Sequence, residues 1–241
     1  MKLRFMILLA ASMLILTSCA LVSTELPENQ LSDVQQNQNR AESKTDEDLV
    51  LEVDSSVARE VNLFLTNFSE VFYDPTLGFF GEAEEKIQFA YMHASINSPS
   101  LTFCKDGYTC ISAKNVDSIL ESFFGSSVPH ETPKDSKYWT FKDGNFVLAA
   151  TAGKPCPNFS ILTGMTRRQD GNFDVTFNIY SDPSLSEGNI ISDKIVYSLT
   201  DSEAASKYKY AGDGRAVLKE KVFNEKNTYE LVSYDVYYNL E

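Results

Sequence analysis

The sequence predicts an α+β fold in which three N-terminal helices pack on a curved, mainly antiparallel sheet. Three observations carry that expectation. Between residues 57 and 124, apolar side chains recur at helical spacing in three separate stretches. From Lys137 onward the pattern changes to runs rich in aromatic and β-branched residues. Polar turns, not helices, join those runs, which is how antiparallel strands connect.

The elements follow in chain order. Asp54, Ser55 or Ser56 can cap a helix, and Val57, Val61, Phe64, Leu65, Phe68, Val71 and Phe72 then form one apolar face, predicting a helix near 57–72. "YDPTLGFFG" breaks it with Pro75 and Gly78. A second helix fits 82–96, with Ala83, Ile87, Ala90, Tyr91 and Ala94 on one side. "LTFCKDGYTCI" reads as two short strands around Asp106-Gly107. Ser112 caps a third helix near 112–124, with Val116, Ile119, Leu120, Phe123 and Phe124 as its stripe and Gly125 as its stop. "YWTFKDGNFVLAAT", "FSILTGMTRRQDGNFDVTFNIYS", "NIISDKIVYSLT" and "RAVLKEKVFNEKNTYELVSYDVYYN" read as strands. Asp143-Gly144 and Asp170-Gly171 supply tight-turn chemistry between them.

The head of the chain has a different composition. Met1-Lys2-Leu3-Arg4 is basic, and Phe5 to Leu16 is almost wholly apolar but short of the ~20 residues a membrane-spanning helix needs. A secretory signal peptide has this pattern. Leu16-Thr17-Ser18-Cys19 resembles the lipobox of bacterial lipoproteins. That resemblance implies cleavage before Cys19, a diacylglyceryl group on its sulfur, palmitate incorporation, and a location at the outer face of the cell membrane. The alternative is an ordinary signal peptide, over 1–18, in which Cys19 is incidental. Residues 20–48 carry seven acids against Arg40 and Lys44 and few aromatics, a composition that predicts a disordered tether. Such a chain has a root-mean-square reach of roughly 30 Å. The folded domain is expected over 49–241.

A net charge of −13 disfavours nucleic acid and anionic lipid as partners of that domain. The order helix, helix, short hairpin, helix, then hairpin strands resembles the NTF2-like fold over about residues 50–200, which implies a cone; the last two strands, 215–238, exceed the usual count. "EEKIQFAYMHASIN" followed by "ISAKNVDSILESFFG" resembles uncharacterised lipoproteins of Gram-positive anaerobes, a group that implies no particular activity.

Candidate chemistry is sparse. His93 on the second helix and His130 after Val128-Pro129 are the two histidines; H-E-x-x-H, Cys-x-x-Cys and G-x-S-x-G patterns do not occur. "DGNFD" spaces oxygen ligands as calcium loops do, but Val175 and Ser181 stand where glycine and glutamate are needed, so a hairpin is the better reading. Cys104 and Cys110 could bridge. A five-residue loop sets them opposite one another, whereas a two-residue Asp-Gly loop sets Cys104 opposite Thr109. Cys156 lies between two prolines. No cofactor or metal is expected. The sequence thus predicts a lipid-anchored extracytoplasmic binding or interaction protein for a protein or small ligand. The alternative is an enzyme in the mouth of an NTF2-like cone, with His93 or a buried carboxylate as base. The helix stripes put Phe64, Phe68, Ile119, Leu120 and Phe123 in the core. On that basis Leu120→Ala costs about 2–5 kcal/mol in a denaturant melt; an unchanged midpoint would remove the helix-on-sheet core.

Overall fold

The computed structural model describes residues 49–75, 82–105, 108–134, 136, 138–148, 156–185 and 191–239. The expected signal peptide, Cys19 and the expected tether lie outside the described residues.

Helix α1 (Ser55–Ser69) begins at Asp54, whose carboxylate accepts from the backbone N–H groups of Ser56 and Val57. It carries two buried stripes. Val61, Phe64, Leu65 and Phe68 enter the main core, while Asn62, Thr66 and Ser69 form a polar stripe beside them. Helix α2 (Glu82–Asn97) buries Ile87, Phe89, Ala90, Met92 and Ala94, together with the carboxylate-bearing Glu84. Glu84 accepts from Ser136 Oγ (2.9 Å) and the backbone N–H groups of Tyr138 (3.0 Å) and Trp139 (3.3 Å), tying the start of a strand to the helix. Helix α3 (Ala113–Phe124) is capped by Ser112, which accepts from Asn115 N, and stops at Gly125 in the left-handed conformation (φ 69°). Phe64, Phe68, Ile119, Leu120 and Phe123 are all buried.

The α+β class and the antiparallel pairing hold, but three details of the expectation are corrected. First, there are two sheets, not one. β2 (Thr102–Lys105), β3 (Tyr108–Ser112), β4 (Trp139–Lys142) and β5 (Asn145–Leu148) form one sheet in the order β2-β3-β5-β4. β1 (Leu49–Val50), β6 (Asn158–Arg167), β7 (Phe173–Ser181), β8 (Lys209–Phe223) and β9 (Lys226–Tyr238) form the other, in the order β1-β6-β7-β8-β9. Second, the described residues hold four helices, not three N-terminal ones: β1 comes before α1 and α4 (Asp201–Lys207) lies between β7 and β8, while the β2–β3 hairpin separates α2 from α3 as the sequence order predicts. Third, the described part of "NIISDKIVYSLT", from Ile191 onward, is not a strand. Asp193 accepts from Ile195 N, a 3-10 helix forms at Lys194–Ser198, and Thr200 and Glu203 make a reciprocal capping box that opens α4.

The split between the sheets has a local cause. The outer edge of β6, where β5 could have paired, is taken by α1. Leu162 N donates to Asn62 Oδ1 (2.6 Å), Ser160 N to Thr66 Oγ1 (3.0 Å), and Cys156 N to the Glu70 carbonyl (2.8 Å). Ser160 Oγ also bonds Ser69 Oγ (3.1 Å). Beyond Leu162 the edge passes to β1: Leu49 and Val50 pair with Arg167 and Thr166, and Leu51 N donates to the Met165 carbonyl. A register shift between Leu162 and Gly164 marks the handover. One extra residue there moves the outward backbone groups from even to odd positions, and Met165 joins the main core whereas Phe159 and Ile161 face the other side.

The five-stranded sheet is covered on both faces. The main cluster joins α1–α3, the inner residues of the smaller sheet and Phe173, Val175, Phe177, Leu218, Leu231 and Tyr234 of the larger one. A smaller cluster, Phe159, Ile161, Tyr180, Val196, Tyr197 and Ala204, lies under the 3-10 helix and α4. Asn62 joins the two layers, because its Nδ2 also donates to the Tyr197 carbonyl (2.9 Å).

A buried donor or acceptor left without a partner costs about 1–3 kcal/mol, and Asn62 serves one of each. Asn62→Ala is therefore expected to lower stability by about 2–4 kcal/mol in a urea melt. Asn67→Ala, which loses only bonds to carbonyls of its own helix, stays within about 0.5 kcal/mol. Equal midpoints for the two variants would show that the polar stripe does not hold the sheet edge.

Candidate functional site

A groove of about 470 Å³ opens where β1 leaves β6 and the chain turns into α1. Leu51, Val53, Leu162, Met165, Tyr197 and Leu199 give it apolar walls. Its polar groups are of both signs. Arg59 is exposed and has no ion-pair partner among the described residues, while Glu52 and Asp201 supply carboxylates. Asp201 is fixed in place: its Oδ1 accepts from Tyr180 OH (2.7 Å) and Asn178 Nδ2 (2.8 Å). Burial, with the adjacent Asp201 carboxylate, pushes the Tyr180 phenol up to about 12, so it remains a donor. Asn62 holds the inner end of the groove rigid through its two backbone contacts.

The other end of α1 carries a polar cluster. The helix closes with Tyr73 N donating to the Phe68 carbonyl (3.0 Å) and Phe72 N to the Ser69 carbonyl (3.3 Å), the paired bonds of a Schellman turn. The left-handed position, usually glycine, is held by Phe72 (φ 52°), whose ring packs 4.8 Å from that of Tyr238. Glu70 in this turn is 7 % exposed, and burial raises its carboxyl to about 7 despite the Asn97 Nδ2 donor at 3.1 Å. Asn97 Nδ2 also faces His93 Nδ1 at 3.2 Å. The imidazole lies between Phe89 (5.9 Å, stacked) and Phe123 (4.8 Å, edge-on), and burial lowers it to about 4. Nearby, the hydroxyls of Tyr234 and Tyr238 are buried without a hydrogen bond of normal geometry, close enough for each to influence the other's titration.

A second groove, of about 420 Å³, runs along β9 between Glu230 and Tyr234 and is walled by Tyr73, Glu82, Lys86 and Phe124. Neither groove is lined by His93 or Glu70. His130 is elsewhere, on Asp117, with Nε2 3.0 Å from the carboxylate and the ring against Phe141; Ser127 bonds the same carboxylate, so serine and histidine meet the acid and not each other. Among the described residues no three or more His, Cys, Asp or Glu side chains are grouped as metal ligands. The register is the two-residue one, which sets Cys104 opposite Thr109 and the buried Cys110 opposite Phe103, and so does not place the two cysteines directly opposite one another.

No family model, curated protein or solved structure matches this chain. The chemistry of its sites therefore rests on the residues themselves. Of the residues singled out from sequence, His93 falls beside Asn97 and His130 beside Asp117, each in a polar cluster of its own. Glu70, Asn97, Arg59 and Asp201 were not anticipated, although Asn62, Thr66 and Ser69 recur at helical spacing beside the apolar stripe and could have been read as a second buried face.

The Glu70–Asn97–His93 cluster has a testable proton balance. The raised Glu70 favours the fold below pH 4.5, a contribution lost as pH rises toward about 7. The lowered His93 favours the fold above its ordinary 6.5, a contribution lost as pH falls toward about 4. Between 4.5 and 6.5 the folded cluster carries its proton on Glu70 and the unfolded chain on His93, so the two slopes cancel. Glu70→Gln removes one of them. The stability difference, variant minus parent, is expected to be near zero at pH 4 and to rise to about 3 kcal/mol above pH 7. Urea melts across that range measure it, and a flat difference would exclude the paired titration.

Proposed function

We propose that this chain is a lipid-anchored extracytoplasmic binding protein whose folded unit offers the groove beside the first half of α1 to a small ligand. The observation that carries the placement is Leu16-Thr17-Ser18-Cys19 behind a basic start and a short apolar run. Two acyl chains at ~0.8 kcal/mol per buried methylene hold a protein stably on a bilayer. Among the described residues no helix is long and apolar enough to cross a membrane, and in this reading attachment rests on the lipid. The groove supports binding: its volume falls in the usual range of ligand sites, roughly 300–1,000 Å³, and it combines apolar walls with a few fixed polar groups.

The alternative, an enzyme in the mouth of an NTF2-like cone, would draw on Glu70, whose raised carboxyl is of the kind active sites use. That carboxyl is buried and neither it nor His93 lines the two grooves described, so the binding reading, which rests on the groove beside α1, does not draw on them.

The anchor is tested by labelling cells with palmitate. The parent chain incorporates label and fractionates with membranes, and Cys19→Ala accumulates as unlabelled precursor. Normal maturation and labelling of Cys19→Ala would overturn the placement.

A further inference from the structure

We infer that the groove beside α1 binds a zwitterionic α-amino acid with an apolar side chain, an inference that rests on reading this groove as the ligand site. Three features, each on a different element, converge there. Arg59, on α1, presents a guanidinium without an ion-pair partner among the described residues, and a guanidinium matches a carboxylate with two parallel hydrogen bonds. Asp201, at the start of α4, presents a carboxylate whose Oδ1 is already held by Tyr180 and Asn178. Such a group accepts an ammonium without first having to be ordered. Leu51, Leu162, Met165 and Leu199 line the same groove, an apolar surface that a side chain would cover.

The sign pattern decides the class. A plain anion would meet Asp201 and Glu52, a plain cation would meet Arg59, and an uncharged apolar ligand would strip water from all three. A molecule carrying both charges at one end and hydrocarbon at the other satisfies each group. A single residue carries both charges, whereas an internal segment of a protein lacks both termini. Asn62 and the residues of the β6 register shift, Leu162 to Gly164, line the same groove, and the Leu162 N–H bond to Asn62 ties them together.

The experiment is calorimetric titration of the full chain with L-leucine, L-leucinamide and N-acetyl-L-leucine, on the parent and on Arg59→Gln. Leucine should bind the parent, and each analogue, lacking one charge partner, should bind at least ~10-fold more weakly. Arg59→Gln should weaken leucine by about the same factor while leaving leucinamide unchanged. Arg59 is exposed, so the variant should keep the parent's melting temperature. No leucine binding at millimolar concentration, equal binding of acid and amide, or full leucine affinity in Arg59→Gln would each overturn the inference. A parallel thermal-shift screen of mixed metabolites, on the parent and on Ala58→Trp with the groove filled, separates this failure from that of the groove itself. Shifts in the parent alone would retain the groove and discard the amino acid; shifts in neither would discard both.

Discussion

Three hydrogen bonds, two from the outer edge of β6 to α1 and one from Cys156 just before β6 to the C-cap of α1, decide how the rest of the folded unit is arranged. A strand edge buried under a helix exposes backbone donors that water cannot reach, and each must find a partner. Here Asn62, Thr66 and the Glu70 carbonyl take that part. Because α1 occupies the edge, β5 cannot join β6. The hairpin run is divided into two sheets, and the smaller one packs around α2 and α3. Because Asn62 also reaches Tyr197, the 3-10 helix and α4 are drawn over the opposite face, and the groove opens where these parts meet. One helix thus fills a core with its apolar stripe and finishes a sheet with its polar one.

The helices were legible because their signals are local. Ser112 and Gly125 bound α3 as their chemistry requires, and the apolar stripes of α1 and α3 fall on buried residues. The two-sheet arrangement was not legible, because nothing in the composition of β5 or β6 says which neighbour each will take; that choice is made by Asn62 and Thr66, roughly a hundred residues away from their partners. "NIISDKIVYSLT" is rich in β-branched residues, and two side-chain caps, Asp193 and Thr200, override that preference. The capping box Thr200-Asp201-Ser202-Glu203 was present in the sequence as a helix-start signal. The site residues were harder. Arg59 and Asp201 are more than a hundred residues apart, and neither is unusual in its own surroundings; only the fold brings them to one groove.

The end of α1 concentrates most of what is energetically unfavourable in the described structure. A bulky residue takes a left-handed backbone, a carboxyl is buried beside a neutral imidazole, and two phenols lack good partners. Packing offsets part of this cost: Phe68 contacts Tyr73, Phe89, Phe123 and Tyr234 in one aromatic group. Keeping both Glu70 and His93 neutral avoids a buried ion pair, whose desolvation cost would compete with its attraction.

The match between α1 and β6 is that of a vernier. One helical repeat of four residues advances about 6.0 Å, and two strand residues advance about 6.6 Å. The scales agree for the first step, from Asn62 and Leu162 to Thr66 and Ser160. Beyond that step both elements run out: Cys156, two residues before β6 begins, donates its N–H to the carbonyl of Glu70, the C-cap of α1, and a main-chain carbonyl takes the place of a side chain. A slip of only about 0.6 Å per step lets a straight helix follow a strand edge over several contacts. The length of edge that α1 seals is set instead by where the two elements end, at Ser69 and at Asn158.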